Sequence, residues 1–396
     1  MKDLLMLVHR MPYPPNKGDK IRSYHLLKQL AQSYRVHLAT FIDDDDDWQH
    51  VPTVQALCAS THFARLNPKL ARVRSLGALL GQRSLSLDYY RNQGLRSWVD
   101  DTMRRHAIDR ILVYSSPMAQ YAEAYPQAHR VIDFIDVDSE KWREYGEKKP
   151  WPANLLFRYE AKQLLRYERK VAADYAASLF VSAPEAALFS RLAPESAARI
   201  GYFNNGVDTA YFTPDNQYPA PYAAGEHGIV FTGAMDYWPN IDAVKWFAEH
   251  VLPRVKLAHP QACFYIVGAR PAAEVQALAQ PGAIVVTGTV PDVRPYLAHC
   301  TVSVAPMRVA RGVQNKVLEA MAMAKPCVVS PQALEGIEAA PGSELVLADD
   351  AAAFADAVIA ALRTDGAAMG RAARERVTQR YSWQANLANL EHQLCN

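Results

Sequence analysis

Cysteine is scarce in this sequence and follows no pattern: Cys58, Cys263, Cys300, Cys327 and Cys395 are scattered over 396 residues. An odd, unspaced set provides neither a disulfide framework nor a metal knuckle. It fits a reducing compartment, where cysteine serves as a small core residue. No apolar run approaches the roughly 18 residues that a membrane span requires. The opening LLMLV is short for a secretory signal and precedes no small-residue cleavage site, so it reads as a first strand and a cytosolic protein is expected. No basic stripe interleaves with stacking aromatics, so nucleic acid is not an expected partner. No G-x-G-x-x-G follows a strand, which disfavours a dinucleotide oxidoreductase.

What remains is a soluble globular composition, 50% apolar and 21% charged. The chain is longer than one hydrophobic core usually serves, so two domains are expected. The net charge of +2 is unevenly placed: residues 1–207 hold 29 Lys+Arg against 23 Asp+Glu, and residues 208–396 hold 14 against 18. A basic front half suits an anionic partner or a membrane surface on that side. The acidic run at 43–47 reads as a solvated loop.

Short apolar runs alternate with helix-period segments, the pattern of parallel α/β layering. Front-half strands are expected at 4–9, 35–41, 110–115, 130–136 and 178–182, with helices at 20–34 and 154–175. Back-half strands are expected at 228–233, 262–268, 283–288, 301–306, 327–330 and 344–348. Segment 213–227, rich in Pro, Gly and Ala, reads as a linker, and 366–395 as two helices broken near Tyr381. Two doubly wound, Rossmann-like domains facing across a cleft are the expected architecture, with ligand loops at the carboxyl ends of the strands. The expected limits are 1–207 for an acceptor-binding domain and 208–381 for a nucleotide-sugar domain, with a last helix, 382–396, packing back on the first.

The stretch RGVQNKVLEAMAMAKP (311–326) carries the chemistry. A helix over 313–324 would begin at a strand's carboxyl end, where its free N–H groups and positive dipole suit phosphate. Lys316 in the first turn is awkward there by about 0.3–1 kcal/mol unless an anion sits between. Glu319, almost one turn on, can accept two hydrogen bonds from a vicinal diol. Phosphates with a ribose one turn away describe a nucleoside diphosphate. The plainer alternative is an i, i+3 ion pair between Lys316 and Glu319.

Three neighbouring stretches, FNNGVDTAYFTP (203–214), FTGAMDYWPNIDAVKWF (231–247) and GTVPDVRPYLAHCTVSVAPM (288–307), complete a set of motifs. Together they resemble the family 4 retaining glycosyltransferases of the two-domain GT-B fold, over nearly the whole chain. HRMPYPPNKGDKIRSYHLLKQLA (9–31) and VIDFIDVDSEKW (131–142) are most similar to sugar transferases of bacterial exopolysaccharide loci associated with exosortase systems. The resemblance implies a nucleotide-diphosphate sugar as donor, a glycan or polyprenyl-linked acceptor, and no cofactor. It places donor contacts at Gly233, Gly268, Arg270 and Val290, along Gly312, Val313, Gln314 and Asn315, and at Glu319 as the ribose ligand.

Three departures matter. In the family's E-x7-E motif the first glutamate falls on Arg311, so the amides of residues 312–315 are expected to carry more of the sugar recognition. The loop GAMDYWPN (233–240) offers no Arg or Lys for the diphosphate, and Lys316 is expected to supply part of that charge as a catalytic group. The family's acceptor-side histidine is replaced by Asp136. With Asp138 it could position an acceptor hydroxyl or act as a weak base, or the two acids simply favour the start of the next helix. Gly18 should let backbone approach the ligand, flanked by Lys17 and Lys20, which are either ligand contacts or ordinary surface lysines. Asp136-Val-Asp138 also spells the D-x-D of metal-dependent single-domain transferases, yet paired sheets favour a metal-independent site.

On the acceptor side, 65–82 places Leu66, Leu70, Val73, Leu76 or Gly77 and Leu80 on one helical face among Arg65, Lys69, Arg72 and Arg74. Such a helix can lie on an anionic membrane, or it can be a core helix with a solvated side. A peripheral position on the inner face of the cytoplasmic membrane is thus compatible with the sequence. A sugar-nucleotide 2-epimerase and a two-lobed solute-binding module remain alternatives.

Overall fold

The computed structural model describes residues 1–15, 18–310 and 312–395. Two compact units emerge, one of Met1–Asn204 with Leu387–Asn396, the other of Asn205–Asn386. The two units together have the Rossmann-like α/β architecture expected from the sequence.

The front unit is built on seven strands: β1 (Lys2–Val8), β2 (Tyr34–Ile42), β3 (Ser60–Arg65), β4 (Arg110–Tyr114), β5 (His129–Ile135), β6 (Ala177–Phe180) and β7 (Ile200–Tyr202). They pair in parallel in the order β3-β2-β1-β4-β5-β6-β7. Strands covered on both faces read as near-continuous apolar runs, which is why LLMLV is fully buried. The strands at the two sheet edges escaped the sequence reading. β3 is STHFAR, mostly half-buried and too polar to look like a core strand, and β7 is only three residues long. The acidic run at 43–47 is solvated at Asp44, Asp45 and Asp46, as expected, whereas Asp47 is buried and the run is held by side-chain contacts. Asp43 meets Arg10, Asp45 meets Arg65, Asp47 meets Lys20, and Asp44 caps a short 3₁₀ helix, Asp45–His50.

The back unit holds β8 (His227–Thr232), β9 (Ala262–Val267), β10 (Ile284–Gly288), β11 (Val302–Ala305), β12 (Cys327–Val329) and β13 (Val346–Leu347), in the parallel order β10-β9-β8-β11-β12-β13. Segment 213–227 packs on this unit rather than hanging free. Tyr218 and Tyr222 lie against its core, and the Tyr222 hydroxyl donates to the Tyr296 carbonyl at 2.5 Å. The two helices near the chain end are Ala367–Arg380 and Trp383–Cys395. The second ends in the front unit, where Arg110 donates to the Leu394 carbonyl at 2.9 Å.

In each sheet the chain reverses direction of winding beside its first strand, between β1 and β4 in front and between β8 and β11 behind. Ligands of open α/β sheets bind outside the carboxyl ends at such switch points.

Candidate active site

At the back switch point the helix Asn315–Ala322 follows β11, two residues later than the sequence suggests. Gln314 precedes it without capping it, and its amide turns back to the Gly312 carbonyl at 3.2 Å. The first-turn amides of Asn315 and Lys316 therefore have no acceptor among the described residues. The Asn315 Oδ1 is buried and unpartnered as well. Buried polar atoms are nearly always satisfied, so an orphan at a helix start asks for a ligand.

Lys316 runs across the switch point. Its Nζ donates to Asn240 Oδ1 at 2.9 Å, lies 3.8 Å from the Met307 sulfur and sits 4.9 Å from the centroid of Phe231. Phe231 is the penultimate residue of β8, Met307 follows β11, and Asn240 lies in the first turn of the helix Trp238–Trp246, so three segments hold one ammonium. Asn240 is fixed in turn by donating to the Ala234 carbonyl at 2.9 Å. Lys316 makes its hydrogen bond to Asn240 and not to Glu319, although the two charges still act on each other. Burial lowers the Lys316 pKa to about 8, with only partial relief from the charge of Glu319. Burial likewise raises Glu319 to about 7, Lys316 pulling the other way. Both groups are held in less favourable surroundings than water gives them, which is how binding and catalytic groups are commonly prepared.

The remaining donor-side residues take distinct parts. Gly268 is demanded by packing: a Cβ there would stand 1.6 Å from the Gly233 carbonyl oxygen, so β8 and β9 could not approach at their ends. Gly233 is crowded by Asn240, whose Nδ2 would be 2.7 Å from an added Cβ. Gly312 has φ +63 with open space around it and turns the chain into the helix. Arg270, at φ 51, pairs with Asp236 at 2.6 Å, so the cation-free loop is met by one from the next strand's end. Val290 lies half-buried after β10, near Arg294, whose guanidinium stacks 3.8 Å from the Tyr211 ring. Arg311 and Lys17 lie outside the described residues.

The front switch point differs. Gly18 opens the helix Gly18–Ser33 with open space around it and no positive φ. Lys20 is buried in a 2.5 Å ion pair with Asp47, which makes it a structural residue rather than an exposed contact. Asp136 and Asp138 share one cation, Lys141, at 2.7 and 3.3 Å. Asp138 begins the helix Asp138–Lys148, where an acid is favoured, but neither acid makes a capping hydrogen bond. Just before them Ile135 has φ 74, a strained conformation for a β-branched residue, and Ser115 has φ 76 at the end of β4.

Sequence reasoning passed over the most suggestive front residue, His9. It follows β1, stacks on Tyr114 at 5.8 Å, and presents Nε2 to Asp19 at 3.4 Å. Its Nδ1 and the Ser116 Oγ are both buried and unpartnered. Burial would raise the Asp19 pKa, but the hydrogen bond from His9 and the charges of His9 and Arg10 hold it well below the ordinary value. Val8 registers with Tyr114, and Tyr114 with Asp133, so His9, Ser115 and the strained Ile135 end adjacent strands. The HRMPYPP motif contained this histidine; nothing in the sequence marked it off from a surface one.

With this geometry in place, comparisons with known proteins assign the class. Residues 226–364 match the family model described as glycosyl transferases group 1. No curated protein matches the chain by sequence. Among solved structures, sucrose-phosphate synthase from Thermosynechococcus elongatus is similar at TM-score 0.68 and 17% identity, over 100% of this chain and 99% of that one. A glycosyltransferase from Rickettsia africae reaches 0.67 at 13% identity, over 99% and 97%. Anabaena HepE, solved in complex with UDP and glucose, reaches 0.65 at 14% identity, over 100% of both. The fold is GT-B. The match of residues 226–364 to group 1 glycosyl transferases gives the enzyme class, a glycosyltransferase.

Proposed function

We propose that the chain is a retaining, metal-independent transferase of the family 4 kind. It would move a sugar from a nucleoside diphosphate to a glycan or polyprenyl-linked acceptor in exopolysaccharide synthesis, at the inner face of the cytoplasmic membrane. The observation that carries the donor half is Lys316, a cation held at the back switch point by a neutral amide beside unpaired helix amides and an orphaned Asn315 oxygen. A pyrophosphate accepts from the ammonium and from the free amides, the Asn315 oxygen can accept from a sugar hydroxyl of the same donor, and Glu319 one turn on suits a ribose diol. The Anabaena neighbour crystallised with UDP makes uracil the first base to test.

In such a transfer, negative charge grows on the leaving diphosphate as the glycosidic bond loosens. Lys316 and the fixed amides are already oriented toward it, so they stabilise that charge without reorganising. The D-x-D acids already have Lys141 as counter-cation, which supports charge neutralisation by protein groups rather than by a bridging metal. On the acceptor side, His9 Nδ1 offers a lone pair to an incoming hydroxyl when Nε2–H donates to Asp19. The direct test is calorimetric titration of UDP, GDP and dTDP into wild type and Lys316→Ala. Binding of one nucleoside diphosphate that weakens at least tenfold in the variant supports the reading; equal affinity in both removes it. An epimer formed from sugar nucleotide alone would favour the 2-epimerase instead, and activity lost in EDTA but restored by Mg²⁺ would overturn metal independence.

A further inference from the structure

The basic segment 65–82 is a helix, Pro68–Ser75, and a 3₁₀ turn, Leu76–Gly81, rather than the one continuous helix expected, and it bears only on the membrane position already proposed. A cluster with no part in that position lies at the opposite end of the front sheet, where the strands begin. Alternate residues of a strand share one face. In the parallel register Asp3 pairs with Arg35, and His37 pairs with Ser60. Asp3 and His37 are therefore diagonal neighbours on one face of β1 and β2. The helix Gln93–His106 packs on β2 and β3 and ends on His106, which brings a second imidazole to the same place.

Three donor atoms converge there, one each from Asp3, His37 and His106, all within 4.8 Å of one another. The rings of His37 and His106 lie with centroids 4.4 Å apart and planes 34° from parallel. His37 Nε2 meets Asp3 Oδ1 at 2.8 Å, and its Nδ1 meets Ser60 Oγ at 2.7 Å. Arg35 donates to the other Asp3 oxygen. His106 makes no hydrogen bond among the described residues, so its ring nitrogens have no other task. His37 is buried, whereas Asp3 and His106 are half-buried, so the cluster opens to solvent on one side. The ion pair with Arg35 accounts for Asp3; it does not account for two imidazoles gathered beside it.

We propose that Asp3, His37 and His106 bind one zinc ion, with water completing a tetrahedron. Two imidazoles and one carboxylate suit zinc, whereas magnesium and calcium prefer oxygen ligands. Ligand atoms about 2.0 Å from a tetrahedral ion stand about 3.3 Å from one another, so the Asp3–His37 contact opens slightly and His106 closes in. With zinc on Nε2, the single proton of the neutral His37 ring sits on Nδ1 and donates to Ser60. That outer hydrogen bond is the kind that orients a ligating histidine. The ion ties the end of one helix to the starts of two strands, segments far apart in the chain, and so stabilises the front unit. The switch points lie at the other ends of the strands, so this ion is structural and the transfer step stays metal-independent.

The test is calorimetric titration of Zn²⁺ into the full chain, freed of any affinity tag and first stripped with chelator. One ion should bind per chain. At a hundredfold excess over the dissociation constant the melting temperature should rise by about 5 °C. Co²⁺ in place of zinc should give the strong visible absorption of a four-coordinate ion, and Mg²⁺ should neither bind there nor stabilise. His106→Gln, at a half-buried helix end, should weaken zinc binding by at least about 100-fold, and Ser60→Ala by about tenfold. The metal-free melting temperature of His106→Gln should match wild type, which separates lost binding from lost folding. Absence of zinc binding overturns the proposal, as does binding that survives His106→Gln or a Co²⁺ spectrum like that of the hydrated ion. Nucleoside diphosphate affinity, expected to be the same with and without zinc, reads the sugar-transfer proposal separately.

Discussion

At the carboxyl ends of the front sheet, cations arrive with carboxylates: Arg10 between Asp19 and Asp43, Lys20 on Asp47, Lys141 between Asp136 and Asp138. Deeper in the same unit, Arg22 is locked to Asp133 at 2.7 Å with both side chains fully buried. At the equivalent place in the back sheet, Lys316 has an amide oxygen and a thioether. The consequence shows in ionisation. Burial would lower Lys141, yet its two aspartates raise it above the ordinary lysine value, whereas burial lowers Lys316 to about 8. One fold, used twice, is electrostatically complete in front and incomplete behind. A complete site suits an uncharged hydroxyl, and an incomplete one suits an anion.

The sharpest way to break this contrast is to remove one cation from each side. Arg22→Met leaves Asp133 buried without its partner and the Phe203 carbonyl without its 3.0 Å donor, so unfolding in denaturant should show a loss of about 3–5 kcal/mol. A loss under 1 kcal/mol would mean that the pair does not hold the front unit. Lys316→Ala should do the reverse. Turnover falls by roughly 10²–10³ because charge stabilisation on the leaving group is gone, while the melting temperature changes little, because removing a buried cation is offset by leaving Glu319 buried without its counter-charge. A variant that keeps its turnover, or that unfolds readily, would erase the distinction between the two units.

Much of the fold was readable because fully covered parallel strands leave apolar runs that nothing else in the chain imitates. FYIV and VSVA lie inside β9 and β11 with every residue buried. β3 and β7 were not readable, since edge strands share their composition with loops. Lys316 and Glu319 stood out by local incongruity, a cation and an acid in an apolar helix. Asn240, which holds Lys316, did not, because its significance lies in a contact 76 residues away in sequence. Lys20 was misjudged for the same reason: a lysine beside Gly18 looks solvated until Asp47 is seen against it. Sequence pattern reports burial along one element; it is silent on which distant side chain completes a charge.

Asn240→Asp sharpens the comparison by giving the back site what the front site has. A carboxylate 2.9 Å from Lys316 would raise the lysine's pKa toward its ordinary value and cancel the charge that awaits pyrophosphate. Nucleoside diphosphate affinity should fall about tenfold, near 1.4 kcal/mol, and the melting temperature without ligand should rise. Asn240→Ala removes the tether without adding charge and should weaken binding less. If the two variants titrate alike, geometry rather than charge is what Asn240 contributes.

The smallest expected effect is one of pH. Lys316 titrates near 8 in the folded chain against 10.5 in the unfolded one, so between those values the unfolded state binds more protons. Stability without ligand therefore rises with pH across that window, and the lysine's burial cost is fully present only below about 8. A bound pyrophosphate restores the lysine's charge and flattens this dependence. Nucleoside diphosphate affinity should then decline above pH 8 by up to about tenfold per unit, with proton uptake visible as a buffer-dependent binding enthalpy. Below pH 7 protonation of Glu319, raised to about 7 by its burial, should weaken the grip on the ribose more gently. Melting curves from pH 7.5 to 10 (with and without UDP, in wild type and Lys316→Met) separate this lysine from other groups titrating there. A slope that persists in the variant, or survives saturation with nucleotide, assigns the titration elsewhere and leaves the back site no different from the front.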